Sequence, residues 1–212
     1  MSYRIGVLGG MFDPVHNGHV EAARCALRKL ALDELRMIPC QTPNHRRPAK
    51  IGPQHRLHMI ELAIRSEPGI RVDPIEIDRT GISYMVDTLA ILKTNAGDCA
   101  LVLVLGVDSF NTIPQWHRWH QLLELCHFLV LARPGIMISE DVIAAPEFEH
   151  SLVASTEELF HTDSGRIMVL DDFSFDISST KVRKLLAMNV DLSAMLDENV
   201  IDYIRSNNLY AK

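Results

Sequence analysis

Two histidines three residues apart follow a pair of glycines in the string Gly9-Gly10-Met11-Phe12-Asp13-Pro14-Val15-His16-Asn17-Gly18-His19. Glycines let backbone approach a ligand closely, and their N–H groups can be aimed at phosphate oxygens. Asp13-Pro14 signals a turn. His16 and His19 then stand at the mouth of a helix, where both can face one spot over its positive end. Two imidazole donors there suit a phosphate whose charge grows in a transition state. A second donor cluster stands far along the chain, Ile177-Ser178-Ser179-Thr180-Lys181-Val182-Arg183. Ser178 reads as an N-cap, which leaves the next N–H groups as unpaired donors. The neighbouring hydroxyls and Arg183 add further donors around one anion.

Other segments supply the rest of a site. Ile38–Arg47 is Pro-rich and loop-like, and it leads into a local basic cluster of His45, Arg46, Arg47 and Lys50 in a net acidic chain. Gly106-Val107-Asp108 closes an apolar strand, where a carboxylate can hold ribose hydroxyls. Ile113-Pro114-Gln115-Trp116-His117-Arg118-Trp119 offers two indoles.

These residues need a scaffold, and the pattern between them reads as one. Strands are expected at Arg4–Gly9, Glu34–Ile38, Ile70–Ile75, Ala100–Leu105, Phe128–Ala132 and Arg166–Leu170. Ala100–Leu105 has no polar alternation, the habit of a central strand in a parallel sheet. Helices are expected from about Gly18 to Leu30, and from Pro53 with Leu57, Ile60 and Ile64 on one face. Another should begin at Ser83 as N-cap and run through Leu89 and Leu92, with two more at Ser178–Met188 and Leu196–Asn207. Strand–helix alternation argues for an α/β fold with a doubly wound, Rossmann-like parallel sheet. Ligands in such folds bind beyond the carboxyl ends of the strands, where the glycine pair and Asp108 stand. The 212 residues suit a single domain over 1–212, with a helical part from about residue 178.

Composition narrows the function classes. A formal net charge of -6 argues against nonspecific nucleic-acid binding. No apolar run reaches the ~20 residues that span a bilayer, and the short apolar start Ile5–Leu8 is no signal peptide. Cys25, Cys40, Cys99 and Cys126 form no CxxC pair, so buried thiols in a reduced, cytoplasmic compartment are expected.

GGMFDPVHNGH resembles the HxGH signature of the nucleotidyltransferase α/β superfamily, and ISSTKVR resembles its ISSTxxR phosphate motif. The resemblance spans essentially the whole chain. It implies that His16 and His19 contact the ATP phosphates and stabilise charge as the α-phosphate is attacked. It also implies an ATP site made by Gly9, Gly10, Met11, Phe12, Asp108, Ile177, Ser179, Thr180 and Arg183. Met11 departs from the small hydroxyl residue usual after the glycines, so only its backbone N–H remains for that contact. Four further segments resemble the nicotinate-nucleotide adenylyltransferases. They are the PxxxPxHK-like loop with Arg46 at its last basic position, Ser83-Tyr84-Met85-Val86-Asp87-Thr88-Leu89, the PxW tryptophan Trp116, and Ala132-Arg133-Pro134-Gly135. That likeness implies a mononucleotide site of Arg46, Tyr84, Thr88, Asp108 and Trp116, with Trp116 stacked on the pyridine ring.

The implied reaction is nicotinate mononucleotide plus ATP giving nicotinate adenine dinucleotide plus pyrophosphate. The acceptor phosphate is already a nucleophile, so catalysis should be positioning and electrostatics. Mg²⁺ should arrive with ATP, since no carboxylate cluster is shaped to cage it. Three other readings stand beside this one. Pantetheine-phosphate adenylyltransferase shares HxGH, but the Ser83–Leu89 and Trp116 segments favour nicotinate. A dehydrogenase would want GxGxxG, a spacing Gly9-Gly10 does not supply. A metal-dependent binding module would use the spaced pairs His16/His19 and His117/His120, which no Cys or acidic residue completes.

Overall fold

The computed structural model describes residues 2–43, 48–79, 81–132, 137–148, 150–173, 175, 177–188 and 190–211. Seven strands form one parallel sheet: β1 Tyr3–Gly10, β2 Glu34–Pro39, β3 Ile70–Val72, β4 Cys99–Gly106, β5 His127–Leu131, β6 Leu152–Val153 and β7 Ile167–Leu170. Their spatial order is β3-β2-β1-β4-β5-β7-β6. The helices are α1 Asn17–Lys29, α2 Pro53–Ile64, α3 Ile75–Asp78, α4 Met85–Ala96, α5 Val107–Phe110, α6 Leu122–Leu125, α7 Glu140–Ile143, α8 Thr156–Leu159, α9 Ser179–Leu186 and α10 Glu198–Ser206. The expected doubly wound parallel sheet is the fold.

β4 is central, as its unbroken apolar run requires. It pairs with β1 on one side and β5 on the other. Alternate residues feed opposite layers. Val102 and Val104 pack with α1, α2, α9 and α10, while Leu101, Leu103 and Leu105 pack with Leu89 and Leu92 of α4 and Phe110 of α5. Each such side chain, wholly withdrawn from water, contributes ~1.5–3 kcal/mol before chain entropy is counted. None of the helices among the described residues is long and apolar enough to cross a membrane.

The chain departs from the sequence reading in several places, the short helices α3 and α5 to α8 among them. Ile70–Ile75 is not one strand. It ends at Val72, and Asp73 then accepts the Ile75 N–H at 3.1 Å to start α3 after Pro74. Proline has no N–H for the ladder, which stops the strand there. Ser83 does not cap α4; the cap position is Tyr84. Ser83 Oγ instead accepts the Gln41 N–H at 3.0 Å, tying the loop after β2 to the start of α4. β6 escaped notice because two residues at a sheet edge carry no readable period.

No cysteine is in a disulfide, and Cys25, Cys99 and Cys126 are buried while Cys40 is half-buried. Burial pushes the Cys126 thiol up to about 12.

Burial also acts on His127, which is 0% exposed in β5 and takes the Arg166 N–H on Nδ1 at 3.3 Å. Its imidazole is lowered to about 4. The unfolded chain, titrating near the ordinary ~6.5, therefore binds a proton before the folded one does. Stability tied to this ring is full above ~6.5 and is lost as pH falls toward the folded value. At pH 5 the loss should be roughly 2 kcal/mol. Urea unfolding at pH 7 and pH 5 should show it in the parent protein, and His127→Asn should lack that share of the difference. Equal pH slopes in the two proteins would contradict the assignment.

Candidate active site

Where β1 and β4 lie side by side, their connections leave in opposite directions. From β1 the chain passes through α1 to β2 on one side, while β4 leads through α5 and α6 to β5 on the other. That divergence opens a crevice beyond the strand ends, the usual ligand position in doubly wound sheets. Here it is a cleft of about 620 Å³. Gly9 to Asp13 form the wall at the end of β1, and Gly106, Asp108 and Ser109 the wall at the end of β4. Tyr84, Met85 and Val86 at the start of α4, and Ser179, Thr180 and Arg183 on α9, complete it.

The two histidines take different positions. His19 lines the cleft, and His16 is 6% exposed beside it. Their rings stack with centroids 3.6 Å apart. The His16 backbone N–H donates to His19 Nδ1 at 3.2 Å. An accepting Nδ1 puts the neutral ring's proton on Nε2, so His19 is a donor at its far edge. Gly18 leaves room for the stack, because a Cβ there would crowd His16 Nδ1 at 3.1 Å. The preceding turn is also specialised: Phe12 is 1% exposed and holds a φ of 47°, in the left-handed region.

The second donor cluster reaches the same turn. Ser178 caps α9 as expected, its Oγ accepting the Lys181 N–H at 3.2 Å. Ser179 Oγ donates to the Pro14 carbonyl at 3.0 Å, and Arg183 donates to the Asp13 carbonyl. The strings around residues 9–19 and 177–183 therefore meet at Asp13-Pro14. Ile177 is 8% exposed and its side chain belongs to the core, so the cleft wall includes Ser179, Thr180 and Arg183 but not Ile177.

Arg56 was not anticipated. It is 1% exposed and donates to the carbonyls of Met11 (2.7 Å), Cys40 (2.6 Å) and Ile51 (3.2 Å). Burial lowers its pKa, yet three carbonyls stabilise the cation. It fastens the glycine loop to the exit of β2. The signal was present: Arg56 stands four residues before Ile60, on the inward stripe of α2.

On the opposite flank, Tyr84 and His117 stack at 4.1 Å and both line the cleft. Trp116 joins them, half-buried, its indole N–H donating to Thr112 Oγ1 at 3.1 Å. Trp119 packs on Phe148 with centroids 5.4 Å apart. Arg118, at a φ of 49°, pairs with Asp87 and ties this loop to α4. Thr88 differs from the sequence reading. It is 0% exposed and absent from the cleft wall, its hydroxyl donating to Glu76 Oε1 at 2.8 Å. Burial in turn raises the Glu76 pKa. Asp108 is exposed in the first turn of α5, on the cleft wall. Arg46 and the Arg133–Gly135 segment lie outside the described residues.

The profile of the cytidylyltransferase-like family matches residues 7–185. A Methylococcus capsulatus protein named "Probable nicotinate-nucleotide adenylyltransferase" is 39% identical over 213 residues, covering 98% of this chain and 100% of that one. A Shewanella frigidimarina protein of the same name is 35% identical, covering 98% and 99%. Among solved structures, the Plasmodium falciparum nicotinic acid mononucleotide adenylyltransferase complexed with NaAD aligns with a TM-score of 0.77 at 20% identity, covering 98% of this chain and 97% of that one.

Proposed function

The chain belongs to the cytidylyltransferase-like family, among the nicotinate-nucleotide adenylyltransferases, and we propose that the cleft at the end of β1 and β4 is where it moves the adenylyl group of ATP onto nicotinate mononucleotide. An oxygen of the mononucleotide phosphate attacks the α-phosphorus. The bond from that phosphorus to the β-phosphate bridge breaks, and pyrophosphate leaves. No proton need be removed from the nucleophile, so the protein's work is alignment and charge stabilisation.

The observation that carries this reading is the convergence of both phosphate-binding strings on one turn, with His19 beside it. In the proposal His19, backed by His16, donates to the phosphate charge that grows in the transition state. Ser179, Thr180, Arg183 and the backbone of Gly9 to Phe12 hold the triphosphate. Asp108 takes ribose hydroxyls, and Trp116 with Tyr84 takes the pyridine ring. Arg46 is assigned to the acceptor phosphate by its place in the sequence motif. Thr88 acts through Glu76 and not on substrate, and Ile177 contributes backbone only.

Among the described residues, no group of three His, Cys, Asp or Glu side chains is arranged to hold a metal ion. Mg²⁺ would arrive with ATP, held by phosphate oxygens and water, and would supply charge neutralisation at the leaving pyrophosphate. The net charge of -6 supports small molecules over nucleic acid as partners, and cysteines outside any disulfide fit the reducing cytoplasm.

Purified protein given Mg·ATP and nicotinate mononucleotide should release one pyrophosphate per dinucleotide formed. Phosphopantetheine in place of the mononucleotide should release none. Release with phosphopantetheine alone would transfer the chain to the sister reaction, and release with neither would end the adenylyl-transfer reading.

A further inference from the structure

Tyr210 reaches the Asp13-Pro14 turn from the segment that follows α10. Its hydroxyl donates to Asp13 Oδ1 at 2.8 Å, across 197 residues of sequence. The other carboxylate oxygen, Oδ2, accepts the Lys50 N–H at 2.8 Å. Asp13 is 6% exposed, so these two donors satisfy a carboxylate with little access to water. Arg183 stands 3.7 Å from Oδ2, beyond hydrogen-bond range. It is held off by other bonds, donating to the Asp13 carbonyl and, at 3.2 Å, to Thr180 Oγ1. Its side chain remains 29% exposed, on the cleft wall.

We propose that Tyr210 is a positioning residue for the ATP site: by occupying the Asp13 carboxylate, it keeps Arg183 turned toward the triphosphate. The inference rests on the adenylyl-transfer reading for what fills the cleft. Its physical basis is a competition. A buried carboxylate that loses one of its two donors recruits another, and the Arg183 guanidinium already stands 3.7 Å from its second oxygen. Arg and carboxylate form strong, often bidentate pairs. Such a pair would commit the Arg183 charge to Asp13 and leave the phosphates one cation short.

The local backbone fits a built contact. Asn208 and Tyr210 hold φ values of 50° and 61°, a region that a bulky residue such as Tyr rarely adopts. Leu209, between them, packs against the core, which anchors the turn. Burial first, and then the Asp13 charge, hold the phenol pKa far above its ordinary value, so the hydroxyl keeps its proton to donate. Tyr210 is absent from the cleft wall, so its effect on substrate passes through Asp13 and Arg183.

Tyr210→Phe keeps the ring and removes only the donor. The Kd of a non-hydrolysable ATP analogue, measured by calorimetry, should rise about 10-fold, the scale of one charge-assisted hydrogen bond. KM for ATP should rise alongside it, and KM for nicotinate mononucleotide should stay within about twofold. In an Asp13→Asn background there is no charge to capture Arg183, so adding Tyr210→Phe should change the analogue Kd by less than about twofold. A merely structural role would lower Tm without separating the two substrates. An unchanged analogue Kd in Tyr210→Phe, equal rises in both KM values, or the same factor in both backgrounds would overturn the inference. Analogue binding needs no turnover, so a protein that binds it and yet transfers nothing to the mononucleotide would fail the functional reading and still decide this one.

Discussion

His19→Ala should lower kcat by ~10²-fold or more, the scale of losing one donor preorganised toward a developing oxyanion. The geometry makes His19 the more telling of the two histidines to remove. It lines the cleft, and its Nδ1 is occupied by the His16 N–H, which fixes the donor Nε2 outward. His16 is buried beneath it, and its loss would mix catalytic with packing effects. The Ala variant should remain folded. His19 is half-exposed at the mouth of α1, and the first turn keeps its His19-to-His16 backbone bond of 2.8 Å. If the donor acts only as charge builds on the phosphate, kcat and kcat/KM should fall together, with KM for either substrate changed little. Steady-state kinetics beside a circular-dichroism melt would show this. Near-normal turnover in a folded variant would make the stacked pair a structural feature of the helix mouth. A rise in KM with kcat intact would make His19 a ground-state ligand of ATP.

How much of this was legible in the residues follows from how local each signal is. β4 could be placed at the centre of the sheet because an unbroken apolar run needs cover on both faces. The Ser178 cap was readable for the same reason, since its partner is three residues away. Ser83 misled because a serine before a helix looks alike whether it caps the helix or holds another loop, and its true partner is 42 residues away. Thr88 misled in a related way. The motif that contains it does line the cleft, but helical geometry turns this one side chain inward to Glu76. Asp13 was read only as half of a turn signal. Its role as the point where Lys50, Arg183 and Tyr210 converge depends on three separate stretches of chain. Arg56 is intermediate: its inward register was visible, but the carbonyls it serves were not. Motif residues thus pointed to the cleft, and the long-range bonds that hold those residues came only with the fold.

Nicotinate mononucleotide should be preferred over its nicotinamide counterpart by more than ~10²-fold in kcat/KM, and the acceptor flank of the cleft supplies the reason. The two substrates differ by a carboxylate in place of a carboxamide. In the proposed pose the pyridine ring lies by Trp116 and the stacked pair of Tyr84 and His117, with its substituent toward the start of α4. Tyr84 provides no side-chain cap for that helix. The N–H groups of Met85 and Val86, in its first turn, have no intrahelical acceptor and belong to residues on the cleft wall. Backbone N–H groups can only donate, and the positive end of a helix favours an anion. A carboxylate offers two oxygens to such donors. A carboxamide has one oxygen, and its NH₂ would oppose the second donor and leave both unpaired. Charge-assisted bonds are worth ~1.5–3 kcal/mol each, and an unpaired buried donor costs a further ~1–3. Even ~3 kcal/mol in total exceeds a 100-fold preference. Thr88 is not part of this discrimination, because its hydroxyl is committed to Glu76. Parallel kcat/KM measurements with the two mononucleotides decide the matter. A ratio near one would put the ring substituent in solvent and remove this account of acceptor choice, while adenylyl transfer to a pyridine mononucleotide would stand.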